Sequence, residues 1–182
     1  VYVSQSGNMI LYRDVDCDDR DDEKEVILSG FDDHDTHHAI SAFCADPSGA
    51  FVMCEGVFLH SNTESVYGPA RGTNGGFFRY SPQKKHIMRY SQYSIPNPWG
   101  VAFDKYGQDF FLHTSGPSMT WMLPGTVKVR YGANMKARDI LTSNKVRPTS
   151  GIEVVSSRHF PDEVQGDTVS YTHLRAHETD RY

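Results

Sequence analysis

A repeated unit of two apolar runs joined by a glycine turn constrains the fold of this chain more than any other feature. The first copy reads AISAFCADPSGAFVMCEG, the second reads WGVAFDKYGQDFFLHTSG, and a third begins at SGIEVVSSRHF. The turn glycines Gly49 and Gly107 lie 58 residues apart (107 − 49), and Gly100 and Gly151, which open runs, lie 51 apart (151 − 100). A period near ~50 residues that holds several short strands is typical of β-propeller blades. The repeat therefore predicts an all-β chain of propeller blades, with a further hairpin from GGFFRYSP and HIMRYSQYS inside one blade.

The composition agrees with this fold and argues against two kinds of partner. Aromatic residues make up 12% of the chain, beside 15 Gly and 9 Pro, which favours strands and turns. The formal net charge is −5 and no basic stripe is present to neutralise phosphates, so we expect no nucleic-acid partner. No apolar run approaches the ~20 residues of a membrane helix. Membrane association is therefore expected only through segments beyond this sequence.

The C-terminal residues stand apart from the repeat. The segment from Val169 to Thr179, VSYTHLRAHET, resembles the translation of a transposase adapter used to build sequencing libraries. We therefore predict one partial propeller domain over residues 1–167, truncated at both ends, followed by a non-native tail over residues 168–182.

The acidic segment DVDCDDRDDEKE has the spacing of a calcium-binding loop. The oxygen ligands at loop positions 1, 3, 5, 7, 9 and 12 would be Asp14, Asp16, Asp18, the carbonyl of Arg20, Asp22 and Glu25. Asp19 stands at position 6, where glycine normally makes the sharp turn, but aspartate tolerates positive φ better than most residues. The flanking segments NMILYR and EVILSGF look like strands. We predict a structural calcium site or, as the alternative, a solvated acidic hairpin loop.

Three histidines, His34, His37 and His38, lie among acids in the stretch FDDHDTHHAI. His34 and His38 are four residues apart and would face one metal only from a helix, which this acidic stretch does not resemble. In a second interpretation, one histidine acts as a general base and a neighbouring acid supports it, because imidazole changes its protonation near neutral pH. A polar loop without chemistry is the alternative that the residues alone leave open.

Four segments, taken in order, resemble one protein family. In chain order, the four segments contain the sequences YVSQSGNMILYRDVDCDD, DTHHAISAFCADPSGAF, GGFFRYSPQ and NPWGVAFDKYGQDFF. Together they resemble the bacterial membrane-bound, haem-binding-type dehydrogenases, which are related to the soluble quinoprotein glucose/sorbosone dehydrogenases. The resemblance covers Tyr2 to Asp167 and implies a six-bladed β-propeller, of which about three blades are present here. It also implies a periplasmic or other extracytoplasmic location, with haem c only in a downstream domain, because this sequence has no C-x-x-C-H motif.

The resemblance also implies roles for individual residues. In this family a histidine nine residues before the proline of a turn is the general base, and counting back from Pro47 selects His38 (47 − 9). This histidine would open a strand, with His37 on the opposite face, and Asp35 would orient one of the two imidazoles. Glu55, at the end of its strand, would be an acid in the pocket. The base takes the proton of a substrate hydroxyl while hydride passes to pyrroloquinoline quinone.

The cofactor contacts match the family in part. The segment NPWG resembles the family motif R-N-P-x-G and assigns Asn97, with Trp99, to cofactor binding, but Pro96 replaces the arginine that contacts the quinone. From its residue type alone, Trp99 is expected to pack in the core or between blades rather than to form a substrate platform. Gly116 and Pro117 stand where the family uses a Gly-Pro pair to give carbonyl oxygens to an active-site calcium.

These features support three hypotheses. The first is a propeller dehydrogenase that oxidises a small-molecule substrate, a sugar or other alcohol, with His38 as the base. The second is a non-catalytic propeller that binds carbohydrate or a partner, which the loss of the arginine at position 96 favours. The third is a calcium-assisted, lactonase-like hydrolase, because six-bladed propellers also host that chemistry.

Overall fold

The computed structural model describes residues 1–114, 119–124, 138–140 and 151–170. Within these ranges the chain forms fifteen β-strands and one short 3₁₀ helix, Asp162–Val164. The strands are β1 (Tyr2–Gln5), β2 (Asn8–Arg13), β3 (Glu23–Ser29), β4 (Ser41–Ala45), β5 (Phe51–Glu55), β6 (Asn62–Thr63), β7 (Ala70–Arg71), β8 (Gly76–Ser81), β9 (His86–Ser91), β10 (Pro98–Phe103), β11 (Asp109–His113), β12 (Thr120–Trp121), β13 (Arg138–Asp139), β14 (Ile152–Val154) and β15 (Thr168–Ser170). In the described part, no helix combines the length and apolar character needed to cross a membrane.

The strands form small antiparallel sheets whose order follows the chain. β1, β2 and β3 form the first sheet, β10 to β13 form a four-stranded sheet, and β14 pairs with β15. Between them, β4, β5, β8 and β9 form another four-stranded sheet, with the β6–β7 hairpin inserted after β5. The opening strands β4 and β10 are neighbours, as are β10 and β14. This is the arrangement of consecutive propeller blades, about three in number, and it confirms the predicted fold class.

The repeat seen in the sequence is a repeated hairpin turn with the pattern D-x-x-G. In the β4–β5 hairpin, Asp46 accepts two backbone N–H groups of the turn, and Gly49 adopts φ +81°. In the β10–β11 hairpin, Asp104 accepts two backbone N–H groups in the same way, and Gly107 adopts φ +82°. Glycine takes this left-handed conformation without the clash that a Cβ would cause. The equivalent turns therefore start two neighbouring blades in the same manner.

Side chains that alternate along the strands bury both faces of the blades. On β5, Met53 packs towards the first sheet, whereas Val52 and Cys54 pack towards the β10–β13 sheet. The three apolar layers contain Met9, Leu28, Phe31, Ile40, Met53, Ala70, Phe78, Tyr80 and Ile87; then Val52, Cys54, Phe77, Tyr93, Ile95, Val101, Phe111 and Met122; then Ala102, Phe110, Leu112, Met119, Ile152 and Val154. Burial on both faces explains why these strands read as apolar runs rather than as alternating patterns.

Candidate active site

Three polar side chains from two neighbouring blades meet near the starts of the opening strands. His38 lies shortly before β4, and Asn97 lies directly before β10. His38 Nδ1 is 2.8 Å from Asp35 Oδ2, and His38 Nε2 is 2.7 Å from Asn97 Oδ1. The His38 side chain is 11% exposed and that of Asp35 is 34% exposed. The structure thus brings together the candidate base, its orienting acid and one candidate cofactor contact in a single hydrogen-bonded group.

A tight turn, rather than a strand, positions the histidine. The His38 N–H donates to the Asp35 carbonyl at 3.0 Å, and β4 begins only at Ser41. The His37 N–H donates to Asp35 Oδ1 at 3.2 Å, because an aspartate side chain readily accepts from the backbone two residues further on. The predictions that His38 opens a strand and that His37 lies on its opposite face are therefore wrong. His37 lies in the same turn, with its side chain 91% exposed and its Nδ1 3.7 Å from Asp35 Oδ1.

Both nitrogens of the His38 ring have a polar partner. A carboxylate only accepts, so the Nδ1 atom that faces Asp35 carries a proton. At Nε2 the partner is the Asn97 amide, 2.7 Å away, whose oxygen accepts from a protonated Nε2 and whose NH₂ group donates to an unprotonated one. In either orientation of the amide, Asp35 accepts the Nδ1 proton.

Gly56 packs directly against this ring. Its N–H donates to the His38 carbonyl at 2.8 Å. A Cβ at position 56 would lie 2.7 Å from His38 Cδ2 and 2.7 Å from the Pro96 carbonyl oxygen. Only glycine therefore allows the end of β5, the histidine turn and the segment before β10 to approach so closely. The sequence contains no local signal for this role, since the contacts come from residues far along the chain.

Two exposed aromatic residues are associated with this group, Phe58 by contact with the His38 ring and Trp99 by following Asn97 in the sequence by two residues. The Phe58 ring lies 5.9 Å from the His38 ring in a T-shaped contact, and Phe58 is 69% exposed. Trp99 lies at a β-bulge, where the register of β10 shifts between Pro98 and Gly100, and is 56% exposed. At this exposure Trp99 is not a core residue of the described part, and its role in blade packing stays a prediction. Phe58 was not predicted from the sequence, where it is one of many aromatic residues.

Asp32 holds the loop before the histidine turn to the loop after β5. Its carboxylate accepts the backbone N–H groups of His34 at 3.0 Å and His60 at 2.7 Å. Partial burial works against ionisation, but the two N–H groups outweigh it and lower the pKa of Asp32. His34 is exposed and lies outside the Asp35–His38–Asn97 group. The His60 ring hydrogen-bonds to Thr73 at 2.8 Å, so this histidine also has a local partner.

Glu55 belongs to a buried ion pair and not to a pocket. Its residue is 0% exposed, its Oε1 lies 2.9 Å from Arg89 Nη1, and its Oε2 accepts from the Ser61 hydroxyl at 2.6 Å. Arg89 also donates to Gln92 and to the Gly75 carbonyl. Burial raises the pKa of Glu55 and lowers the pKa of Arg89. In each case burial outweighs the ion pair, which favours the charged form of both groups. The prediction of Glu55 as a pocket acid is wrong, because its partner Arg89 is 34 residues away and invisible to local patterns.

The acidic loop between β2 and β3 brings together only part of the predicted calcium ligands. Carboxylate oxygens of Asp14, Asp16 and Asp18 lie within 4.8 Å of one another on the exposed surface. Asp19 adopts φ +67° at the position where glycine was expected. Among the remaining predicted ligands, Asp22 accepts from the N–H of Val15 and Glu25 pairs with Arg13 at 2.6 Å. The predicted roles of these residues and of the Arg20 carbonyl stay predictions. The three clustered aspartates offer the hard oxygen donors that Ca²⁺ prefers.

The predicted quinone contacts fit the described residues poorly. Pro96 brings no positive charge, and its carbonyl accepts the N–H of Val57 at 3.4 Å. Within the described ranges, the ion pairs of Asp35 are those with His37 and His38. An anionic quinone therefore lacks the cationic partner that the resemblance assigns to position 96. Gly116 and Pro117, the predicted carbonyl ligands of an active-site calcium, lie outside the described residues.

Comparison with known proteins places the fold. The model of a family described as "Domain of unknown function (DUF7133)" matches residues 1–178. No curated protein matches the chain significantly. The X-ray structure of a provisionally assigned gluconolactonase is similar with a TM-score of 0.50 at 14% identity, over 91% of this chain and 50% of that one. The chain therefore spans half the length of that structure, and the likeness concerns the propeller fold. The predicted boundary at residue 167 and the non-native tail stay predictions.

Proposed function

Because this chain belongs to the DUF7133 family and shares its fold with a provisionally assigned gluconolactonase, we propose that it is part of a propeller hydrolase that opens the lactone ring of a sugar acid. The observation that carries the proposal is the Asp35–His38–Asn97 group, a histidine oriented by a carboxylate between two blades. Lactone opening needs a base that activates water, and it needs no redox cofactor. The missing cation at Pro96 supports hydrolysis over quinone chemistry.

His38 acts as the general base through Nε2. Asp35 holds the Nδ1 proton, so the neutral ring offers its lone pair at Nε2. A water that replaces Asn97 at Nε2 passes one proton to His38 while the water oxygen bonds to the lactone carbonyl carbon. The bond from that carbon to the ring oxygen then breaks, and the ring oxygen takes the proton back from His38 and leaves as a hydroxyl group. Asp35 stabilises the imidazolium that exists between these two transfers.

A second candidate function is quinone-dependent oxidation of a sugar hydroxyl, which the family resemblance implies. The contact between His38 and Asn97 favours it, because the resemblance assigns these residues to the base and to the cofactor contact. In both functions the substrate is a small sugar-derived molecule. We propose the aspartate cluster of the β2–β3 loop, Asp14, Asp16 and Asp18, as a structural calcium site that takes no part in the reaction.

Paired assays on the full-length protein distinguish the two functions. Acid release from glucono-δ-lactone and related aldonolactones measures hydrolysis against the spontaneous rate. Dye reduction with the corresponding sugars, in the presence of Ca²⁺ and added pyrroloquinoline quinone, measures oxidation. We expect lactone opening well above the spontaneous rate and no quinone-dependent dye reduction. Quinone-dependent dye reduction without lactone opening would overturn the hydrolase proposal in favour of the second function.

A further inference from the structure

Phe58 is an exposed aromatic residue held in an unusual backbone conformation. Its φ is +71°, in a region that bulky side chains rarely adopt. Phe58 is 69% exposed, whereas Leu59 beside it is 0% exposed. The left-handed turn thus sends Leu59 into the core and leaves the Phe58 ring in solvent. Hydrophobic burial does not explain this placement, and strained residues of this kind concentrate at functional sites.

Hydrogen bonds hold this turn to a second, well-anchored loop. The Phe58 N–H donates to Asn74 Oδ1 at 3.2 Å, and the Asn74 N–H donates to the Leu59 carbonyl at 3.0 Å. The adjacent Gly75 carbonyl accepts from the buried Arg89 guanidinium at 2.6 Å. The exposed ring is therefore tied to the buried Glu55–Arg89 ion pair through one continuous set of contacts. Such anchoring fixes the backbone that carries the ring, which lowers the entropic cost of binding a ligand against it.

The ring stands beside the candidate base, with 5.9 Å between the Phe58 and His38 ring centroids and 61° between their planes. We propose that the Phe58 ring is the platform on which the apolar face of a six-membered sugar lactone stacks while its carbonyl carbon faces His38. A sugar ring presents C–H groups on its faces and hydroxyl groups at its rim. A flat apolar surface beside a few polar groups matches that chemistry. This inference rests on the proposed function and names the part of the site that recognises the substrate.

Substitutions of Phe58 in the full-length protein test the platform. Glucono-δ-lactone serves as substrate. The probe in equilibrium binding is 1,5-anhydroglucitol, a six-membered sugar ring without a carbonyl that could react, and its binding is followed by calorimetry or saturation-transfer NMR. Loss of one aromatic stacking contact in Phe58→Ala raises KM and the Kd of this cyclic probe by roughly three- to tenfold, with kcat within twofold. Phe58→Tyr keeps the ring and stays near wild type in both constants. The matched control is Tyr106→Ala, which removes an 83% exposed aromatic ring from the β10–β11 turn and leaves both constants unchanged.

The outcomes separate this inference from the function on which it rests. Lactone opening with an unchanged KM and Kd in Phe58→Ala would overturn the platform and leave the hydrolase proposal standing. Binding of the cyclic probe that depends on Phe58 in a protein that opens no lactone would support the platform and overturn the hydrolase proposal. A wild-type protein that does not bind the cyclic probe would contradict the platform directly.

Discussion

At the scale of residues, one of three neighbouring histidines was selected by its distance from a turn proline. His34 and His37 are exposed, while His38 alone is enclosed between Asp35 and Asn97. The resemblance also pointed to Asp35 and Asn97, which lie 3 and 59 residues from His38 along the chain. Their hydrogen bonds to one ring emerged only from the fold. The role of Gly56 was not predicted. The two groups that leave no room for a Cβ there, the His38 side chain and the Pro96 carbonyl, come together only in the fold.

Gly56→Ala tests the close packing around the base. The added Cβ meets His38 and the Pro96 carbonyl at 2.7 Å, so the histidine turn has to move. We expect the free energy of unfolding to fall by about 1–3 kcal/mol, as for other overpacked sites. Lactone opening should fall with it, because the His38 ring leaves its position between Asp35 and Asn97. Denaturant unfolding and the hydrolysis assay measure the two effects.

Gly151→Ala is the matched control for this substitution. A Cβ at Gly151 meets nothing within 4 Å, and its φ is not in the left-handed region. We expect its stability to stay within about 0.5 kcal/mol of wild type. Equal stability of Gly56→Ala and Gly151→Ala would show that Gly56 does not confine the histidine turn.

At the scale of elements, strands and turns could be predicted from the local sequence. The polar partners of residues across a sheet could not. NMILYR is the strand β2, and the D-x-x-G segments form the turns of β4–β5 and β10–β11. These features are local, since apolar runs and aspartate–glycine turns need no distant residue. The burial of Glu55 and the pairing of Glu25 with Arg13 depend on strand register and distant partners. Three of the aspartates predicted to bind calcium cluster in the β2–β3 loop, and the six-ligand site stays a prediction.

The Asp46 turn gives a pH-dependent prediction at this scale. Burial opposes its ionisation, but the Ser48 hydroxyl and Arg79, at 2.6 Å, outweigh burial and lower the pKa of Asp46 below 3.8. A carboxyl whose pKa is lower in the folded than in the unfolded state stabilises the fold above the unfolded pKa. That stabilisation disappears as pH falls through the folded pKa. We expect Asp46→Asn to lose about 1.5–3 kcal/mol of unfolding free energy at pH 7, and less at pH values below 3.8.

Asp104→Asn in the equivalent turn is the control. Among the described residues Asp104 accepts from Tyr106 and Gln108 backbone N–H groups, whereas Asp46 also accepts from Arg79. The control should therefore lose less stability at pH 7 in denaturant unfolding. Equal losses in the two variants would mean that Arg79 adds nothing to the turn.

At the scale of the whole molecule, the blades pack through apolar layers and the candidate site lies where two of them meet. The period near ~50 residues predicted blades, and the sheet order and the propeller neighbour confirm them. The chain spans 50% of the neighbour's length. The residues predicted at Gly116 and Pro117 lie outside the described part. From the sequence, the function could be narrowed only to three classes: a dehydrogenase, a non-catalytic binding protein and a lactonase-like hydrolase. The same scaffold supports each of them.

The effect of His38→Gln on lactone opening tests the central claim, that the Asp35–His38–Asn97 group is a catalytic centre, most directly. Glutamine keeps a polar side chain in place but removes the base, so kcat should fall by about 10²- to 10⁴-fold. His34→Gln, which changes an exposed histidine in the same stretch, should keep the wild-type rate. The measurement is the initial rate of acid release from glucono-δ-lactone by the full-length protein and both variants. A His38→Gln protein that is folded and opens the lactone at the wild-type rate would contradict the claim.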